Sequence, residues 1–198
     1  EKITKIRGVF SSSLSYIFNR FGNEDIPFSK IIEDAEKLGY TKTDSREDLS
    51  GNAVAEKLVI LAREIEHKIE LKEVKIMPLL LPTLNETHTK SAYKNNKNLL
   101  DKPYRIAKLT QNENHVLRYV GEFDIESKKI EVKLISVPVN SALGQLQNAE
   151  NLVEIYTKTN SKNPIIIQGA GSGKEIAART ILKDILKKQF TAIELKDS

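Results

Sequence analysis

The chain has 198 residues, no cysteine, and a formal net charge of +4 from 31 basic and 27 acidic residues. Without cysteine, disulfide staples, zinc thiolates and thiol catalysis are excluded, and a cytoplasmic setting is favoured. Scattered lysines, 6% aromatic content and no stacking motif speak against nucleic acid as a partner, and the longest apolar run, Ile76 to Leu81, falls far short of the ~18 residues that span a membrane. A chain of this length buries roughly 70% of its unfolded surface and makes one large domain or two small ones. It begins at Glu1 rather than Met and no signal peptide opens it, so the natural N-terminus is expected upstream.

Lys5 to Phe10 reads as a short strand or connection. Leu14, Ile17, Phe18 and Phe21 recur at helical spacing, so Ser13 to Phe21 is a helix ended by Gly22 and Asn23. A second helix runs from Pro27, which suits a first turn, to Leu38, with Gly39 as a left-handed stop. Thr41 to Ser50 is a polar, acidic loop. The third helix, Gly51 to Glu66, has Val54, Leu58, Leu61, Ala62 and Ile65 as its apolar stripe. Val74 to Leu81 reads as a strand and its exit. Thr87 to Thr110 is polar, helical in part and interrupted by Pro103; its most basic stretch, Lys90 to Lys102, reads as a solvated face.

The second half changes character. His115 to Asp124 and Lys129 to Val137 are strand-like runs joined by Ile125-Glu126-Ser127-Lys128, a hairpin signal. Asn151 to Thr159 and Pro164 to Gln168 are further strands, and a last helix runs from Ser172 to Gln189. Helices early, strands late and one closing helix predict an α+β class, with helices packed on one face of a mixed, largely antiparallel β-sheet.

Gly169-Ala170-Gly171-Ser172-Gly173-Lys174 follows a strand and opens a helix, a setting for a ligand near a helix N-terminus. It is neither a P-loop nor a dinucleotide fingerprint: three residues rather than four separate Gly169 from Gly173, and Lys174 stands where a third fingerprint glycine would fall. A tight turn and close approach of backbone to a ligand both remain open, because glycine permits each. His67, His88 and His115 lack metal-ligand spacing, so no metal site is expected. The stretch Gly39 to Gly51 packs Asp44, Glu47 and Asp48 just before a helix, which caps its dipole or orients a small charged substrate. Lys57, two turns into that helix at the margin of its apolar stripe, is either a snorkelling surface lysine or a partly desolvated acid–base group.

Together these segments resemble the homoserine dehydrogenase family. Its pattern G-x-x-S-G-S-L-S-Y-I stands here as Gly8 to Ile17. Its central pattern G-Y-T-E-P-D-P-R-x-D-L-S-G-x-D-V-A-R-K-L-x-I-L-A-R-E stands as Gly39 to Glu64. V-x-Q-G-A-G-A-G stands as Ile167 to Gly173 with Ser172. The resemblance covers essentially the whole chain, in order and spacing.

The resemblance implies a substrate-binding and dimerisation domain over 1–168. A glycine turn and C-terminal helix over 169–198 would pack on an N-terminal nucleotide-binding domain. It implies NADP or NAD as cofactor, held mainly by that domain, with Gly169, Gly171, Gly173 and Glu175 on the cofactor side. It implies L-homoserine and aspartate 4-semialdehyde as substrates, in threonine and methionine biosynthesis, and a homodimer. Lys57 matches the family's catalytic lysine. Gly39, Tyr40, Thr41, Asp44 and Asp48 match the substrate pocket. Two departures matter: the family glutamate that pairs with the substrate ammonium falls at Lys42, and the family aspartate one turn before the lysine falls at Ala53. At ~4 Å and an effective dielectric of ~20, each such charge change is on the order of 4 kcal/mol. Lesser departures are Ser12 for Gly, Asn52 for an apolar residue, Glu56 for Arg and Ala177 for Thr. The alternative implied by these losses is a catalytically weakened relative kept for dimerisation or regulation, perhaps fused to an aspartokinase.

Overall fold

A computed structural model describes residues 2–86 and 89–171 of the chain. The expected last helix, with Gly173, Glu175 and Ala177, and also His88, lie outside the described residues. Six strands, β1 (Ile3–Val9), β2 (Lys75–Ile76), β3 (His115–Asp124), β4 (Lys129–Pro138), β5 (Glu150–Thr157) and β6 (Ile165–Ala170), form one sheet in the order β2-β4-β3-β1-β5-β6. Every pairing is antiparallel except β2 with β4. The α+β class and the mixed, largely antiparallel sheet are as the sequence predicts.

Side-chain alternation divides the sheet into two unlike faces. Ile6, Leu117, Tyr119, Phe123, Ile130 and Val132 join one core with the helices α1 (Ser12–Asn23), α2 (Phe28–Leu38), α4 (Asn52–Glu64) and α7 (Asp101–Thr110). An aromatic group of Phe18, Phe21, Phe28 and Tyr104 binds α1, α2 and α7 together, with Phe28 and Tyr104 stacked at 3.8 Å between centroids. Each such fully buried side chain is worth about 1.5–3 kcal/mol. Among the described residues, the core on the opposite face contains no helical residue. Half of it is apolar: Val9, Val120, Val137 and Leu152 lie under Leu143 and Leu146 of the 139–149 loop. Buried Arg118 secures that loop by donating to the carbonyls of Leu143 (2.9 Å) and Gly144 (2.9 Å), and burial lowers its pKa to about 10. The other half is charged. Arg7 pairs with Glu154 at 2.7 Å, and Glu131 receives Lys129 and Lys133.

Several local readings change in three dimensions. The 74–81 segment keeps only the two-residue β2, because Pro78 cannot donate to a ladder and Leu79 N–H turns to the carbonyl of Leu49 (2.9 Å). The 41–50 loop contains a single helical turn, α3 (Arg46–Leu49). The 87–110 segment holds α6 (Lys90–Asn96), a 3-10 stretch Lys97–Leu100 and α7, preceded by the short α5 (Pro82–Asn85). Pro103 sits in the first turn of α7, where its missing N–H is tolerated, and the break falls just upstream of it. Lys97 is the exception to the solvated basic face. It is 3% exposed, and its ammonium lies 2.6 Å from Glu36, whose other oxygen receives Ser45. The third helix starts one residue later than expected, at Asn52, and Gly51 precedes it in the left-handed region at φ 81. β6 extends through Ala170, with Gly169 paired to Asn151, so Gly169 and Ala170 belong to a strand.

Candidate active site

The site starts from two glycines. Gly8 of β1 and Gly121 of β3 are cross-strand partners on the helix face. A Cβ on either would press on the Phe10 ring, at 2.9 Å from Gly8 and 3.0 Å from Gly121. Their missing side chains make a hollow that the Phe10 ring fills, which seats the turn from β1 into α1. Ser11 then caps α1, its hydroxyl accepting from Leu14 N–H.

Three distant segments attach to this turn. The Lys57 ammonium donates to the Phe10 carbonyl at 2.6 Å. The Ser13 hydroxyl donates to Asp48 Oδ1 at 2.7 Å, while Asp48 Oδ2 accepts the backbone N–H of Lys42 at 3.0 Å. Gly171 packs so closely on Ser12 and Asn151 that a Cβ would lie 2.1 Å from Asn151 Nδ2 and 2.3 Å from Ser12 Oγ. Ser12 and Asn151 are themselves joined at 3.3 Å. The N-terminal end of α1 thus gathers the candidate catalytic lysine, one candidate pocket carboxylate and Gly171. Lys57 itself is exposed among the described residues.

The remaining predicted pocket residues separate. Lys42, Asp44, Arg46, Glu47, Ser50, Asn52, Ala53, Glu56 and Asn85 line a cavity of about 470 Å³ beside the exposed face of α4. Asp44 is held by Arg46 at 2.7 Å, and that hydrogen bond keeps its carboxyl below the usual range. Arg46 also lies 5.2 Å from the ring of Tyr93, whose hydroxyl is pushed up to about 12 by burial. Lys42 pairs with Glu47; this hydrogen bond, then the charge of Glu47 and, at longer range, of Asp48 and Glu56, raises the Lys42 pKa. Gly39 and Thr41 face elsewhere, into a second cavity of about 530 Å³ with Lys37, Lys94 and Lys97. The Thr41 hydroxyl is buried without a hydrogen-bond partner among the described residues. Tyr40 stacks on Tyr16 of α1 at 4.3 Å, which ties the loop to α1. Sequence reasoning missed the Phe10 carbonyl, Arg46 and Asn151. The first is a backbone atom and carries no residue signal, and the other two are recognisable only from partners fixed by the fold.

A family model described as homoserine dehydrogenase matches residues 1–186. The chain belongs to the homoserine dehydrogenase family. It is 36% identical over 188 residues to a maize bifunctional aspartokinase/homoserine dehydrogenase, covering 94% of this chain and 20% of that protein. It is 35% identical over 193 residues to the Saccharomyces cerevisiae homoserine dehydrogenase, covering 94% of this chain and 53% of the yeast protein. Among solved structures, a Candida auris protein of unknown function superposes with a TM-score of 0.83 at 34% identity, over 94% of this chain and 53% of that one. A putative homoserine dehydrogenase from Archaeoglobus fulgidus gives 0.69 at 25% identity, over 94% and 50%. The chain therefore spans about half the length of the homoserine dehydrogenases it matches and a fifth of the bifunctional ones. No helix among the described residues is long and apolar enough to cross a membrane.

Proposed function

We propose that this chain is the substrate-binding and dimerising part of an NAD(P)-dependent homoserine dehydrogenase that interconverts L-homoserine and aspartate 4-semialdehyde, within threonine and methionine biosynthesis. The observation that carries this reading is the convergence of Lys57, Asp48 and Gly171 on the turn from Phe10 to Ser13.

Lys57 is the proton-exchanging group. An ammonium has three donors; the Phe10 carbonyl takes one and orients the group, which leaves the others for a substrate oxygen. In aldehyde reduction Lys57 delivers a proton to the carbonyl oxygen, and in alcohol oxidation its neutral form takes the hydroxyl proton. Asp48 is a positioning residue that fixes the loop to α1 through Ser13 and Lys42 N–H. A nicotinamide coenzyme, NADP or NAD, supplies the hydride exchange when bound. What supports such a group here is Gly169, with nothing within 4 Å of its Cβ position; Gly171 is instead closed off by Ser12 and Asn151. Gly173 and Glu175 complete the coenzyme-facing set of the proposal.

A homodimer through the charged half of the open sheet face belongs to the same reading. Arg7 with Glu154, and Lys129 and Lys133 with Glu131 and Glu122, balance within the chain, so a second copy can cover them without stranding a charge. A cytoplasmic location is proposed too; the maize relative is described as chloroplastic, and imaging of the tagged full-length protein distinguishes the two.

A second reading, a weakened relative kept for dimerisation or regulation, draws on the Lys42–Glu47 pair and Ala53 in the cavity. Homoserine-dependent NAD(P)H formation by the full-length protein separates the two. Turnover that drops about a hundredfold or more in Lys57→Ala, with an unchanged unfolding midpoint, is the expected result. A folded, dimeric protein without turnover overturns the first reading and leaves the second.

A further inference from the structure

The 139–149 loop encloses a third cavity, of about 370 Å³, between itself and the C-terminal half of α1. By alternation along β3, Arg118 shares a sheet face with Val116 and Val120, and it lines this cavity although it is only 3% exposed. Lys97, Arg46 and Arg7 each lie against a carboxylate. Arg118 forms no ion pair among the described residues, and no other charged side chain lines the cavity among them. Its pKa, lowered by burial to about 10, still leaves the guanidinium charged at neutral pH.

A guanidinium has five N–H donors. Here Nε donates to the carbonyl of Leu143 (2.9 Å), Nη2 to those of Gly144 (2.9 Å) and Leu146 (3.4 Å), and Nη1 to that of Leu117 (3.0 Å). The second Nη1 hydrogen is left over. Carbonyl dipoles orient such a charge without cancelling it, and a buried charge is ordinarily paired. The remaining polar wall is made of neutral amides. Among them the Gln145 and Gln147 side chains make no hydrogen bond among the described residues, so their N–H groups are available to a ligand. One uncompensated cation, spare amide donors and no carboxylate are the chemistry of an anion site.

We propose that this cavity binds a small oxyanion, a phosphate or a carboxylate, seated between the Arg118 guanidinium and the amides of Gln145 and Gln147. The proposal does not depend on the dehydrogenase reading.

The test is the unfolding midpoint of the full-length protein titrated with inorganic phosphate and, separately, with acetate, against chloride at equal ionic strength. At about tenfold above its dissociation constant, the bound anion is expected to raise the midpoint by roughly 3 °C. A response to phosphate alone identifies a phosphate ligand, and a response to acetate alone a carboxylate. Arg118→Gln should lose the response. That change also loosens the loop, so Gln145→Glu is the second variant. It places a carboxylate in the cavity, and the midpoint should rise without added anion while the response disappears. Lys57→Ala should keep the response, which separates this cavity from the site at Phe10. No shift beyond that of chloride with either anion, or a shift that survives in either cavity variant, overturns the proposal and leaves Arg118 as a clamp on the loop. A shift lost in Lys57→Ala overturns it as well.

Discussion

Two ion pairs in the same loop have opposite characters. Asp44–Arg46 is mostly buried, with side chains 14% and 19% exposed, and Arg46 also leans on Tyr93. Lys42–Glu47 stands out in solvent at 69% and 60%. The first is part of the scaffold: its geometry is over-determined by a ring, a helix turn and a cavity wall. The second is a rim contact that solvent screens and a ligand can rearrange. Charge changes at the rim therefore alter the charge the cavity presents, while charge changes at the scaffold alter whether the cavity exists.

The sharpest way to break the scaffold side is Gly51→Ala. Residue 51 sits at φ 81, and an added Cβ would lie 2.1 Å from the Tyr119 hydroxyl, which donates to the Met77 carbonyl. Backbone strain plus displacement of that buried hydroxyl should cost about 3 kcal/mol in urea unfolding. Asp44→Asn comes next, at about 2 kcal/mol, because it leaves a partly buried guanidinium short of its anion. That gap should depend on pH. Asp44 titrates lower in the folded chain than unfolded, so its contribution is complete above the unfolded value of about 4 and fades as pH falls through the folded one. Unfolding midpoints of wild type and Asp44→Asn should accordingly converge in strong acid, and parallel curves would show that the pair is not the cause. The smallest effect belongs to the rim: Lys42→Ala should leave the thermal midpoint unmoved while releasing Glu47 into the cavity, so that L-homoserine binds more tightly rather than less.

The contrast also marks what the sequence discloses. Periodicity gives α1, α2 and α4 and the β3–β4 hairpin, because burial on one face leaves a repeating signal. Gly39 is legible as a helix stop, and it stops α2 in the left-handed region at φ 75. The family pattern singles out Lys57 and Asp48. It does not reveal that Thr41 turns away from Asp44, since alternation within a loop depends on turns no local residue announces. Nor does it reveal that Lys97 is buried, because its partner Glu36 lies 61 residues away and meets it only when α2 packs near the 3-10 stretch. Glu56 reads as a lesser substitution in one dimension and, in three, as a cavity-lining side chain without a partner among the described residues.

The hollow at Gly8 and Gly121 reaches beyond packing. The acceptor that steers Lys57 is a main-chain oxygen, so no side-chain replacement deletes it; its place is encoded in two absent methyl groups on neighbouring strands. Next to that pair in the ladder stand Arg7 and Glu122. A slip of β1 and β3 by one residue would turn these long side chains inward and close the hollow. Phe10 would have nowhere to sit, and the lysine would lose its guide. Correct strand alignment and the seat of the Lys57 ammonium are thus the same event.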